Sequence, residues 1–77
     1  MGEVKKRREL METARDLLLL TPASSEAEIH SLLDDGHYHL KELKGQSPCN
    51  ETWIYSLEQR LRKAELLLEQ KQAQVAR

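Results

Sequence analysis

Apolar residues recur in the last third of the chain at Ile54, Leu57, Leu61, Ala64 and Leu68, and Lys71 and Val75 continue the series at alternating spacings of three and four. That rhythm keeps one side chain per half-heptad on a single seam, which is how a helix presents itself to another helix. Upstream, Ile29, Leu33, Gly36, Leu40 and Leu43 form a second stripe, with Leu32 alongside. Val4, Met11, Ala14 and Leu18 form a third, with Leu10 and Leu17 beside it. The pattern predicts three helices, over about 3–20, 25–44 and 48–74.

The punctuation agrees with the pattern. Thr21-Pro22 closes the first helix, because the residue before proline is pushed out of the helical region. Ser25 and Glu28 fit a capping box that opens the second. Lys41 and Lys44 suit the negative end of its dipole, and Gly45 offers a left-handed stop. Ser47-Pro48 supplies a cap and first residue for the third helix, and Asn50-Glu51 supplies an acceptable start one turn later. So short a connection predicts that helices two and three form an antiparallel hairpin. In that register Leu43 lies near Ile54, Leu40 near Leu57, and Ile29 near Leu68. Gly36 then falls opposite Leu61 or Ala64. A mid-helix glycine costs roughly 1 kcal/mol against alanine, which close approach of the two backbones or a local kink would explain. The expected fold is all-α: an antiparallel helical hairpin with an additional N-terminal helix, in a single domain spanning 1–77. The tail from Gln70 to Arg77 overhangs the second helix and is expected to fray.

Composition sharpens this reading. The 77 residues include no Phe, one Trp and two Tyr, and leucine occurs fourteen times. A leucine-dominated core with about a third of positions charged reads as packed helices. A chain this short buries roughly 60% of its unfolded surface. The formal net charge of −1 argues against a polyanion-binding protein. A lone Cys49 has no internal disulfide partner and suggests a reducing compartment. The basic start, Met1 to Arg8, is followed by Glu9, Glu12, Arg15 and Asp16, with no apolar core of a secretory signal. The longest apolar run, Leu17 to Leu20, is far too short to span a membrane. Gly2 is followed by Lys6 where a myristoylation signal wants Ser or Thr, and the sequon Asn50-Glu51-Thr52 needs a secretion route to matter. A cytoplasmic protein without membrane contact is expected.

Candidate chemistry is sparse. His30, Asp34 and His37 share one face of the second helix, but zinc wants a fourth ligand and a braced shell; surface histidines, and no metal, are expected. Lys5-Lys6-Arg7-Arg8 suits phosphates, yet Glu3, Glu9 and Glu12 interleave it and no aromatic does. A solvated face paired within its own helix, and no nucleic acid, is expected. Cys49 has no His–acid companion and there is no Gly-rich phosphate loop. No enzyme activity and no cofactor are expected.

The leucine runs carry more. Four consecutive helical residues fan over about 300°, so Leu17, Leu18, Leu19 and Leu20 cannot all face one neighbour. Leu66, Leu67 and Leu68 spread in the same way, and the expected topology brings the two tracts to one end of the molecule. A leucine-rich patch there exceeds what a three-helix core absorbs, and such patches mark binding sites. Leu17, Leu18, Leu19, Leu20, Leu66 and Leu67 are therefore candidate partner-binding residues. Trp53 at the hairpin end and Val75 at the end of the seam complete the set.

An acidic and basic first helix, a Gly-containing turn, and a third segment opening with Glu51, Trp53 and Tyr55 before a Leu/Gln-rich stretch resemble a known family. They look like the small co-chaperones of the type III secretion needle subunit, over about Ile29 to Gln70 and by pattern. The resemblance implies a hairpin docked on a larger tetratricopeptide-repeat-like chaperone, the pair keeping the needle subunit unpolymerised in the cytoplasm. The needle subunit itself is similar in size, but the polar Gln70 to Gln74 lacks the apolar end such a subunit needs. A homodimeric coiled-coil scaffold subunit, paired through the Ile54–Val75 seam, is the alternative.

Overall fold

The computed structural model describes residues 7–75, with side chains to residue 73, and within them the chain is all-α. Helix α1 spans Leu10–Leu18, α2 spans Glu26–Lys44 and α3 spans Glu51–Val75. At about 1.5 Å per residue, α3 outruns α2 by roughly two turns.

Local chemistry sets the ends. The Ser25 hydroxyl accepts the Glu28 N–H at 3.1 Å, so the expected cap opens α2. Gly45 is not left-handed: its φ of −82° and ψ of −8° are right-handed, and its N–H bonds to the Lys41 and Glu42 carbonyls at 3.1 and 3.2 Å. The helix therefore closes by a tightened last turn. Of the two starts open to the third helix, Asn50 takes it. Its Oδ1 accepts the Trp53 N–H at 3.2 Å, leaving Ser47 and Pro48 in the connection.

The first helix is the main departure. It begins at Leu10, with Glu9 extended at φ −74° and ψ 163°, and it ends at Leu18. Residues 7–9 are therefore not helical, and the expected first turns from Glu3 to Lys6 lie outside the described residues.

Side-chain contacts between α2 and α3 show how the two helices lie. His37 meets Glu65 at 3.5 Å and Lys44 meets Glu58 at 3.2 Å, the descending order of an antiparallel hairpin. Gly36 sits against Leu61 in the expected register. The close approach is made by a side chain and not by the opposing backbone: a Cβ on Gly36 would overlap Leu61 Cδ2, and would lie 3.3 Å from Leu61 Cγ and 3.4 Å from Leu17 Cδ1. All three helices meet at this glycine.

The core gathers Leu17 and Leu20 with Ile29, Leu32, Leu33 and Leu43 of α2 and Leu57, Leu61 and Ala64 of α3. Leu10, Leu40, Trp53, Ile54, Leu67 and Leu68 pack around it, partly buried. At about 1.5–3 kcal/mol for each fully buried aliphatic side chain, this cluster holds the fold together. The seam from Ile54 to Leu68 is thus consumed inside one chain.

Candidate functional site

Two features stand out from this frame: an outward apolar face on α1, and a charged clasp joining residues 7–8 to α2.

The leucine run divides by helical geometry. Ala14 and Leu17 of α1 are buried, as is Leu20 just beyond it, at 2%, 1% and 5% exposure. Leu18 and Leu19 turn away, 56% and 65% exposed, and Met11 is 73% exposed. Seven residues bring Met11 and Leu18 within about 20° of each other around the helix, and Arg15 lies between them. Leu17 and Leu20 are therefore core, a correction to their expected place on a binding surface. Position 17 faces the Gly36 socket and position 20 follows it by one turn.

The other expected residues do not join that face. Leu66 is 53% exposed, but nine residues after the buried Leu57 it lies about 180° around α3, on the side away from the core. Leu67 and Trp53 are partly buried and pack against the core, so each is largely used within the chain. The side chain of Val75 lies outside the described residues. The expected single patch is thus dispersed, and the contiguous part is Met11, Leu18 and Leu19. Met11 was not among the expected residues. Its spacing of seven from Leu18 had placed both on the expected packing stripe of the first helix, and the structure turns both outward.

The clasp overturns the reading of the basic run as a face paired within its own helix. Asp35 is a buried acid, 7% exposed, and both of its oxygens are taken. Arg7 Nη1 donates to Oδ1 at 3.0 Å and Arg8 Nη1 donates to Oδ2 at 2.8 Å. Arg7 also reaches Asp34 at 3.2 Å and lies 4.3 Å over the Tyr38 ring. Arg8 donates to Ser31 Oγ at 2.9 Å and its Nε lies 3.5 Å from Asp16. His39 Nε2 lies 2.6 Å from the Arg8 carbonyl; a carbonyl only accepts, so this nitrogen carries the proton. Ser31, Asp34, Asp35, Tyr38 and His39 form one face of α2, at i, i+3, i+4, i+7 and i+8. Lys5 and Lys6 lie outside the described residues.

The remaining candidates do not assemble a reacting centre. Asp34 is engaged by Arg7, and His37 by Glu65 at 3.5 Å. Among the described residues no group of three His, Cys, Asp or Glu side chains is placed to hold a metal ion. Cys49 is exposed, its Sγ 3.2 Å from the Gln46 carbonyl. An open depression of about 200 Å³ between α2 and α3 is lined by His37, Leu40, Glu58, Leu61, Arg62 and Glu65. Four of these six side chains are ionisable, which suits a wet groove more than a dry ligand site. No described helix is long and apolar enough to cross a membrane.

No family model, no curated protein and no solved structure matches this chain.

Proposed function

We propose that this chain is a small protein-binding subunit that docks a partner on the outer face of α1. The observation that carries the reading is the exposure of Met11, Leu18 and Leu19 at 73%, 56% and 65% on a helix whose opposite face is already in the core. A helix apolar on both sides is normally covered on both sides. A well-packed apolar anchor is worth about 2 kcal/mol or more at an interface, and α1 offers Met11 and Leu18 two turns apart, with Leu19 next in the chain.

Arg15 indicates what kind of partner fits. Its side chain is 67% exposed, and its one close acid among the described residues, Asp16 at 3.5 Å, is shared with Arg8. Two copies paired through this face around a twofold axis would set Arg15 against Arg15. A different protein bringing a carboxylate into an apolar surface suits the face better. Pairing of two copies through the Ile54–Val75 seam competes with the packing of Leu57, Leu61 and Ala64 inside the chain, all 3% exposed or less. Both arguments favour a heterologous partner over the homodimeric scaffold. The needle-subunit co-chaperone suggested by the residues shares the heterologous partner, a larger helical-repeat chaperone, but docks it through the hairpin, whereas the face proposed here is on α1.

The test compares Leu18→Glu with Leu66→Glu in co-purification from the native host, with partners identified by mass spectrometry. Both variants are expected to keep wild-type helicity. Leu18→Glu is expected to lose a protein that Leu66→Glu and the wild type retain. Identical partner sets for all three would refute the assignment of α1 as the docking face.

A further inference from the structure

We infer that Arg7 and Arg8 are a latch on Asp35, and that α1 opens together with this arm as a unit while the α2–α3 hairpin stays folded. This goes beyond the docking proposal and stands on other observations.

The first is how little holds α1 besides the latch. It has nine residues, below the roughly 12–15 that make an isolated helix even marginal in water. Of its apolar side chains only Ala14 and Leu17 are buried, with Leu20 beyond its end. Its third buried residue is a defect: Thr13 is 0% exposed, and its hydroxyl has no hydrogen-bond partner among the described residues. An unpaired buried hydroxyl opposes the docked state. The hairpin, by contrast, keeps Ile29, Leu32, Leu43 and Leu57 in the core, and its helices are 19 and 25 residues long.

The second is the density of polar contact at the arm. Three residues ahead of α1, the chain is extended, yet Arg7 and Arg8 reach five residues on one face of α2. The Asp35 carboxylate, 10% exposed as a side chain, takes charge-assisted bonds from both guanidiniums at 3.0 and 2.8 Å. Such bonds are roughly twice as strong as neutral ones. Arg8 also lies 3.5 Å from Asp16 of α1, so the arm ties α1 and α2 to the same acid cluster.

The third is the hinge. Beyond α1 the link is held by exposed, local bonds: Ser24 N–H to the Thr21 carbonyl at 2.9 Å, Thr21 N–H to Ser24 Oγ at 3.1 Å, and Ala23 N–H to Thr21 Oγ1 at 3.2 Å. The turn can survive α1 lifting away, because none of these bonds reaches α1 or the hairpin. Opening takes Met11, Leu18 and Leu19 with it. The latch therefore governs where the apolar face of α1 is presented.

Amide hydrogen exchange on the full chain tests this, since partial openings appear as groups of amides with lower opening free energies than the global one. In the wild type, the amides of Ala14 and Leu17 are expected to exchange through an opening that leaves Leu57 and Leu61 protected. Replacing both arginines (Arg7→Ala, Arg8→Ala) weakens the closed state against every open one, so protection at α1 should fall tenfold or more, and at the hairpin by the same factor. Leu43→Ala, or Leu43→Val if alanine does not fold, perturbs the far end of the hairpin. It should lower protection at Leu57 and Leu61 and leave Ala14 and Leu17 unchanged. Equal loss at both sites on changing Leu43 would show one cooperative unit and overturn the proposal. Unchanged α1 protection in the double-arginine variant would remove the latch.

Discussion

Gly36→Ala should destabilise this protein even though it replaces the poorest non-proline helix former with the best. On an exposed helical surface the change would stabilise by about 0.8–1.0 kcal/mol. Here the new Cβ would overlap Leu61 Cδ2 and come within 3.3 Å of Leu61 Cγ and 3.4 Å of Leu17 Cδ1. Leu61 is 3% exposed and Leu17 is 1% exposed, so the new methyl is accommodated only by turning Leu61 out of its packed position toward the depression it lines. Overpacking of this kind costs about 1–3 kcal/mol. The net expectation is a loss of about 1 kcal/mol, which lowers Tm by roughly 4–8 °C in a domain of this size.

The chain carries its own control. Gly45 has right-handed dihedrals, φ −82° and ψ −8°. A Cβ there would meet only the Lys41 and Glu42 carbonyl oxygens, at 3.5 and 3.6 Å. Gly45→Ala should therefore stabilise by about 0.4–1 kcal/mol through the unfolded state. Urea titration followed by helical circular dichroism reads both signs. Leu61→Ala alone should cost about 2–5 kcal/mol, and adding Gly36→Ala to it should cost less than the sum, because the new methyl enters vacated space. A coupling of about 1 kcal/mol is expected. If Gly36→Ala stabilises as Gly45→Ala does, or if the two losses simply add, Gly36 is not a socket and the three-helix meeting point is wrong.

Thr13→Val should leave the melting temperature unchanged or raise it by the equivalent of about 1 kcal/mol, since it removes a buried, unpaired hydroxyl at constant shape; a clear loss would mean the hydroxyl has a partner. Asp35→Ala should cost about 1–3 kcal/mol in urea titration, because two guanidiniums lose a shared acceptor. Asp34→Ala should cost under about 1 kcal/mol, its carboxylate being 78% exposed; equal losses for the two would contradict the clasp geometry. Leu57→Ala should cost about 2–5 kcal/mol, whereas Leu19→Ala should change thermal stability by no more than about 0.5 kcal/mol.

What the sequence disclosed was mostly local. Ser25 as a cap and the α2–α3 register follow from hydrogen-bond reach and helical period, whereas the third helix, expected from position 48, opens one turn later with Asn50 as its cap. The start of α1 was not legible in that way. Arg7 and Arg8 leave the helix because their partners are Asp34 and Asp35, some 27 residues away, and no local propensity reports such a pairing. A weaker signal existed. Asp35 sits three residues after Leu32 and beside Gly36, at the edge of the apolar stripe of α2, where a buried carboxylate needs a cation. The rotation of α1 was misjudged for a related reason. The expected stripe ran through Met11, Ala14 and Leu18 with Leu10 and Leu17 beside it, and tertiary packing at Gly36 instead turned Leu17 inward and Met11 and Leu18 out.

That choice has a functional consequence. Had α1 settled with Met11 and Leu18 inward, Leu17 would have turned to solvent and the Gly36 socket would hold Leu61 alone. The observed rotation fills the socket from two helices and turns Arg15 outward between two apolar residues. Fold stability and surface chemistry are thus decided by the same rotation of one short helix. A surface selected only for solubility would place lysine or glutamate at positions 11, 18 and 19, since none of the three contributes to the core. Three large apolar side chains in those places, on α1 and just beyond its end, are the surface on which the docking proposal rests.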